Sequence, residues 1–438
     1  MNQTAHSAVS LNPKGIGQVL VYPYYSVNNG INTLLSVVNT SNQTKALKIK
    51  FLESKNNRDV LAFNIYLGPY DTWTSALVNA DSTIPNHTGE ESVKLFTNDS
   101  SCTVPAISGQ EFLPFAMEGE FEDAFSSNLS RATEGQIHII DMGNVIGEYG
   151  TWADPRNSAT FNCSSLNSNW VPPNGAWQLD ANENISPPSS SGDIYGWVSL
   201  IDVQTGVDVG YNAQAIQAYT NQSQHLEPAS LAPNLASGNQ TQSVVSSQSV
   251  SDIAQWASPV DAVSSIFMSS ELFTDYVITD SIGANTEWLL SFPTKKFYTD
   301  PLYSNSAEVV APFSNIMGGC ESADINLYSR NAETTLDSIN LCFGTNVVEF
   351  SDTSEPSSTI LASKDSSILE SNFDSGWAQI VFSQSIEMQD DLINGNSTLI
   401  GLPVTGFSIQ RYVNSNLEGG VLANYAGLFQ TISKTKTR

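Results

Sequence analysis

Between Gly17 and Val78, apolar and polar residues alternate in short runs separated by turn-forming residues, and each run predicts a strand. Residues 18–22 (QVLVY) end at Pro23. Residues 31–38 are stopped by the polar run 39–44. Residues 46–52 place Leu47, Ile49 and Phe51 on one face and Lys48 and Lys50 on the other, the period-two pattern of a half-buried strand. A polar loop (53–59) separates it from 60–67, where Leu61, Phe63, Ile65 and Leu67 face one way, so the pair reads as a hairpin. Gly68-Pro69 closes that run, and 70–73 lead into another. No helical periodicity competes. Successive antiparallel strands with one wet face predict an all-β fold of Ig-like sandwich layers.

The rest of the chain continues the pattern with long loops between strands. Residues 1–16 are a polar lead-in. Residues 79–110 and 142–192 are loop-rich, the second marked by Pro172-Pro173 and Pro187-Pro188. Residues 135–141 read as a strand, buried on its isoleucine side, with His138 on the opposite side and therefore toward solvent. Further strands fall at 196–202 and 206–211. Residues 220–251 carry one charged residue, Glu227, in a Ser, Gln, Asn, Ala and Pro background. That composition suits a mobile connector or a long ordered loop draped over a sheet.

Beyond it, 269–280, 287–292, 376–382 and 406–410 read as strands, in an order that echoes the first half. Cys163 precedes Trp197 by 34 positions and Cys342 precedes Trp377 by 35, and G-[YF]-x-x-Q recurs at Gly210 and Gly406. The chain thus divides into tandem antiparallel β-sandwich modules, 17–219 and 252–438, joined by 220–251.

Composition changes the picture in one respect, charge. Of the 438 residues only 14% are charged, and 44 acids against 17 bases give a net charge of −27. Such a field repels nucleic acid and attracts divalent cations, which take carboxylate and carbonyl oxygens. Three acidic or amide-rich stretches offer candidate Ca2+ ligands. Asp180, Asn182 and Asn184 open a loop with the D-x-N-x-N spacing of a calcium loop, but Ile185 replaces the turn glycine and Ser191 the bidentate glutamate, so it is not an EF-hand. Glu118 and Glu120 lead a cluster with Glu122 and Asp123. Asp390 and Asp391 precede Asn394 and Asn396. The alternative for each is a solvated acid.

Catalytic signals are sparse. His6, His87, His138 and His225 are scattered without ligand spacing, and the phosphate-loop, dinucleotide, nucleophile-elbow and H-E-x-x-H motifs are absent from the sequence. A glycosidase pair such as Glu118 with Glu120 is the sort that chance supplies in so acidic a chain. The expectation is a protein without catalysis.

Cys102, Cys163, Cys320 and Cys342 form no C-x-x-C pair. An even count in a Ser/Thr-rich chain suggests two disulfides and an oxidising compartment, the alternative being four buried thiols. If each module holds its own bridge, Cys102 pairs with Cys163 and Cys320 with Cys342. No run of about 18 apolar residues appears. Residues 1–4 lack a secretory signal, so an exported protein would be numbered here from beyond its signal.

Three stretches carry a resemblance: 17–25 (GQVLVYPYY) with 35–39 (LSVVN), 66–73 (YLGPYDTW), and 401–406 (GLPVTG) with 420–425 (GVLANY). They resemble a group of secreted proteobacterial proteins that includes a surface-layer (S-layer) protein of marine gammaproteobacteria. The resemblance implies a cell-surface structural subunit that associates with copies of itself, in a biofilm or over outer-membrane lipopolysaccharide, and it supplies no catalytic residues. The other reading is a secreted carbohydrate-binding or adhesive module. Its sugar-stacking aromatics would be Trp73, Trp152, Trp170, Trp177 and Tyr24-Tyr25, although sandwich cores also take tryptophan.

Overall fold

The computed structural model describes residues 8–247, 250–304, 310–315, 318–353, 361, 363–389, 397–417 and 421–438. It is all-β and of sandwich type, built from several separate sheets. In the first half the main strands are β1 (Val19–Ser26), β2 (Ile31–Asn39), β3 (Thr44–Glu53), β4 (Asp59–Leu67), β5 (Thr72–Asp81), β6 (Glu91–Phe96), β7 (Cys102–Val104), β8 (Glu134–Val145), β9 (Ile194–Asp202), β10 (Val207–Asn212) and β11 (Gln214–Gln217). One sheet runs β11-β1-β8-β3-β4-β7 and the facing sheet β10-β9-β2-β5-β6. Leu47, Ile49, Phe51, Phe63, Ile65, Ile137 and Ile139 fill the space between them with Leu35, Val37, Trp73 and Leu77 from the other side.

The second half adds β12 (Glu271–Val277), β13 (Ala284–Ser291), β14 (Glu321–Ser329), β15 (Thr334–Leu341), β16 (Thr345–Ser351), β17 (Ser367–Glu370), β18 (Ser375–Val381), β19 (Thr405–Leu417) and β20 (Val421–Gln430). They form the sheets β15-β14-β18-β12 and β17-β16-β13-β19-β20, in which only β16 and β17 pair in parallel.

The halves share their cores. Trp288, Leu290, Val348 and Phe350 pack into the second sandwich, whereas Leu289, Val347, Phe407 and Ile409 on the opposite face of the same sheet join the first. Burial on both faces is why β13 reads as a continuous apolar run (WLL) rather than an alternating one. Polar contacts cross the same boundary: Ser291 Oγ donates to the Pro23 carbonyl at 2.7 Å, Thr345 N to Ser54 O at 2.9 Å, and Tyr24 Oη to Leu361 O at 3.0 Å.

Two sequence expectations fail here, for one reason. β3 is buried along its whole length, and Lys48 and Lys50 are inaccessible. His138 on β8 is likewise buried instead of facing solvent. The outer face of their sheet is covered. Residues 220–241 are an ordered loop lying across it, and the lysines reach up to that loop's backbone: Lys48 Nζ donates to Glu227 O at 2.7 Å and Pro228 O at 2.9 Å, and Lys50 Nζ to Leu231 O. Asn64 Nδ2 adds a bond to Leu226 O at 2.8 Å. The alternation of β3 therefore separates an apolar buried face from a hydrogen-bonding buried face.

The echo between halves does not extend to topology. Gly210 lies on edge strand β10, in the sheet that holds Trp197, whereas Gly406 lies on central strand β19, in the sheet opposite Trp377.

Candidate functional site

The acidic and amide candidates are dispersed. Asp180, Asn182 and Asn184 lie in one exposed turn, where Asp180 Oδ1 accepts from the Asn182 amide at 3.0 Å and Asn184 adopts a φ of 56°. Glu118 accepts from His87 Nε2, while Glu120 sits exposed in the short 3-10 turn Gly119–Phe121. Asp123 is drawn inward to Arg58 and Arg131 and so leaves the cluster. Asp390 and Asp391 lie outside the described residues. Among the described residues no group of three His, Cys, Asp or Glu side chains converges as a metal site.

The cysteines form the bridges Cys102–Cys163 and Cys320–Cys342. The first ties β7 to a helical excursion that carries Trp170 and Trp177. These tryptophans are not stacking platforms. Trp170, Trp177, Trp73, Tyr24 and Tyr25 are buried and Trp152 is half-buried, because loops close over the sheet edge and the sandwich interior takes the rest. Around Trp170 a chain of hydrogen bonds fixes a histidine. Trp170 Nε1 donates to Tyr66 Oη at 2.8 Å, Tyr66 Oη lies 2.9 Å from His225 Nε2, and His225 Nδ1 meets Ala181 O. The bonds are all satisfied with a neutral imidazole that donates from Nδ1 and accepts at Nε2. Burial, against the pull of the Ala181 carbonyl, lowers His225 to about 4.

A larger charged group, not foreseen from the sequence, occupies the junction of the halves. Asp59 bridges Lys50 Nζ at 2.8 Å and Lys296 Nζ at 3.2 Å and accepts from Tyr303 Oη at 2.8 Å. Arg58 clasps Asp300 through Nε and Nη2 at 2.8 and 3.0 Å. Arg131 binds Asp123 and Glu53, at 2.8 and 2.9 Å. All these groups are buried except Asp123 and Tyr303, which are half-buried. Burial would raise the Asp59 carboxyl, but Lys296 and Lys50 outweigh it and hold the group at about 2. Burial lowers Lys296 to about 8 even with Asp59 beside it. A network so enclosed clamps two sandwiches together and offers no room for a substrate.

The accessible aromatic chemistry lies elsewhere, on the outer sheet faces. On β18, Trp377 stacks on Tyr328 of β14 with ring centres 3.8 Å apart and planes 7° from parallel, and Phe273 of β12 lies 6.2 Å away. Beside them runs a polar row. Asn326 Nδ2 donates to Gln379 Oε1 at 3.1 Å, Gln379 Nε2 to Glu271 Oε2 at 2.9 Å, and Lys434 Nζ to Glu271 at 3.1 Å. On β9, Trp197 is exposed in the same way beside Phe96. The shared Gly-Trp pair at 196–197 and 376–377 was the available sequence signal.

Comparisons of the chain with protein-family models, with curated proteins and with solved structures returned no match.

Proposed function

We propose that this chain is an extracellular structural protein, an S-layer-type subunit that self-associates into a two-dimensional lattice on the cell surface with the help of divalent cations such as Ca2+. The observation that carries this reading is the distribution of charge. Eight of the 17 basic residues are buried, against ten of the 44 acidic ones among the described residues. The exterior is therefore more one-sidedly acidic than the composition. Copies of such a surface repel one another until cations screen and bridge their carboxylates. The two disulfides fit an oxidising compartment, and the same cations would link the subunit to the anionic groups of outer-membrane lipopolysaccharide. The fold has the rigid modules such a subunit needs, and no catalytic role is proposed.

The test is assembly of purified protein, followed by light scattering and negative-stain microscopy in chelator, in calcium, and in monovalent salt of matched ionic strength. Ordered sheets in calcium alone are the expected result. Monodisperse protein in all three would reject the proposal.

The outer face of β18 favours a second reading, adhesion to carbohydrate. Flat paired rings beside an amide and carboxylate row suit the apolar and hydroxyl faces of a pyranose. Binding to neutral polysaccharides that is lost in Trp377→Ala would support it; equal retention of wild type and variant would not.

A further inference from the structure

At one end of the first sandwich, Lys45 of β3 is enclosed by two carboxylates. Its Nζ lies 3.0 Å from Asp141 Oδ2 and 2.6 Å from Asp193 Oδ2. Lys45 and Asp141 have fully buried side chains, while Asp193 keeps 24% of its side chain exposed. The placement is built by the backbone. Asp141 pairs directly with Leu47, two residues from Lys45 on the neighbouring strand, so both groups point to the inner face of the sheet. A bulge follows Asp141, and Gly143 occupies it with a φ of 141°, where a Cβ would press on Ser186 O at 2.6 Å. The Gly143 amide donates to Asp141 Oδ1 at 3.0 Å, leaving Oδ2 turned to the lysine. Gly192, with a φ of 71°, packs so closely on the Gly17 backbone that no side chain fits, and this brings Asp193 to Lys45.

We propose that Lys45 and Asp141 are the two partners of an intramolecular isopeptide bond, with Asp193 as the proton shuttle. The step balances without any co-reactant. Asp193 takes a proton from the Lys45 ammonium, and the free amine attacks Cγ of Asp141. The Nζ–Cγ bond forms, the Cγ–Oδ2 bond breaks, and Asp193 returns its proton to the departing oxygen. That oxygen leaves as water with two of the three ammonium protons; the third stays on the amide nitrogen, and one positive and one negative charge disappear together.

Three physical features favour the reaction. Two charges buried in a dry site are costly, and the amide replaces both. Fixing amine and carboxyl side by side on neighbouring strands removes the entropic barrier that makes such condensation slow in solution. The partly exposed Asp193 gives the released water a way out. Burial also pushes the Asp141 carboxyl up, although Lys45 opposes it. Burial would lower the Lys45 ammonium, but Asp141 and Asp193 outweigh it and hold the ammonium up, which is why the step needs Asp193 to draw off the proton. The other buried lysine–aspartate contact, Lys50 with Asp59, lacks this character, since two ammonium groups keep Asp59 a carboxylate.

The experiment is intact mass measurement of the full chain after reduction of its disulfides, followed by peptide mapping. The expected mass is one water below that of the sequence, with a branched peptide joining Lys45 to Asp141. The full sequence mass with both peptides unlinked would overturn the proposal. Asp141→Ala is expected at its full sequence mass; if it still lacks a water, the loss arises elsewhere and the assignment falls. Asp193→Asn is expected to be largely uncrosslinked, and complete crosslinking in it would remove Asp193 from the mechanism.

Discussion

Asp59 is the only carboxylate within reach of both Lys50 and Lys296 in the described junction, so its loss strands two buried ammonium groups. Asp59→Ala is expected to destabilise the fold by roughly 3–5 kcal/mol, the usual cost of leaving buried charge uncompensated, read as a shift of the urea midpoint. His225 leads to a pH dependence. Its folded value of about 4 lies below the roughly 6.5 of a free imidazole, so the folded state keeps it neutral while the unfolded chain takes up a proton. The stabilisation is present above pH ~6.5 and is lost as pH falls from there through about 4, by about 3 kcal/mol if fully expressed. His138 acts in the same direction, since burial, with Lys296 and Lys50 beside it, lowers it too. Thermal melts from pH 7 to 4 should therefore fall less steeply for His225→Gln than for wild type. Equal slopes would contradict the assignment. Neither residue's role was legible in the sequence. A histidine between two isoleucines on a strand reads as solvent-facing until something is known to cover that face.

Strand identity was legible where one face is apolar and the turns are marked, as in β3 and β4. It was the second face that misled. Lys48 and Lys50 look like the wet side of a strand, yet they are buried because carbonyl oxygens of a loop more than 170 residues away replace water. That pairing is non-local, and neither local periodicity nor composition encodes it. The loop itself has the composition of a connector and the contacts of a lid. A broad-specificity protease should accordingly spare 220–241 in the native protein, and Lys48→Ala, which strands two carbonyls, should open it to cleavage. The disulfides allow a graded check. They close loops of 61 and 22 residues, and chain entropy assigns them about 4 and about 3 kcal/mol. Replacing Cys102 and Cys163 by serine should lower the guanidinium midpoint more than replacing Cys320 and Cys342.

At the scale of the whole molecule, the sheet that contains β13 contributes side chains to both sandwiches, and buried ion pairs cross the same boundary. Unfolding is expected to be a single transition, coincident by tryptophan fluorescence and far-ultraviolet dichroism. Two separated transitions would show that the halves are energetically independent. Strands in both halves were readable from the sequence, but the shared core was not, since an apolar run such as WLL does not say which neighbour takes each face.

The sequestered bases also decide how the protein meets reagents. Lys45, Lys48, Lys50, Lys295 and Lys296 are buried, as are Arg58, Arg131 and Arg411, leaving nine basic side chains with some access to solvent. Amine-directed biotinylation of the native protein would label this chain sparsely however abundant it is. Trypsin, which needs an exposed lysine or arginine on a pliable segment, would find few places to begin. A protein inventory based on either reagent would undercount the molecule unless it were unfolded first.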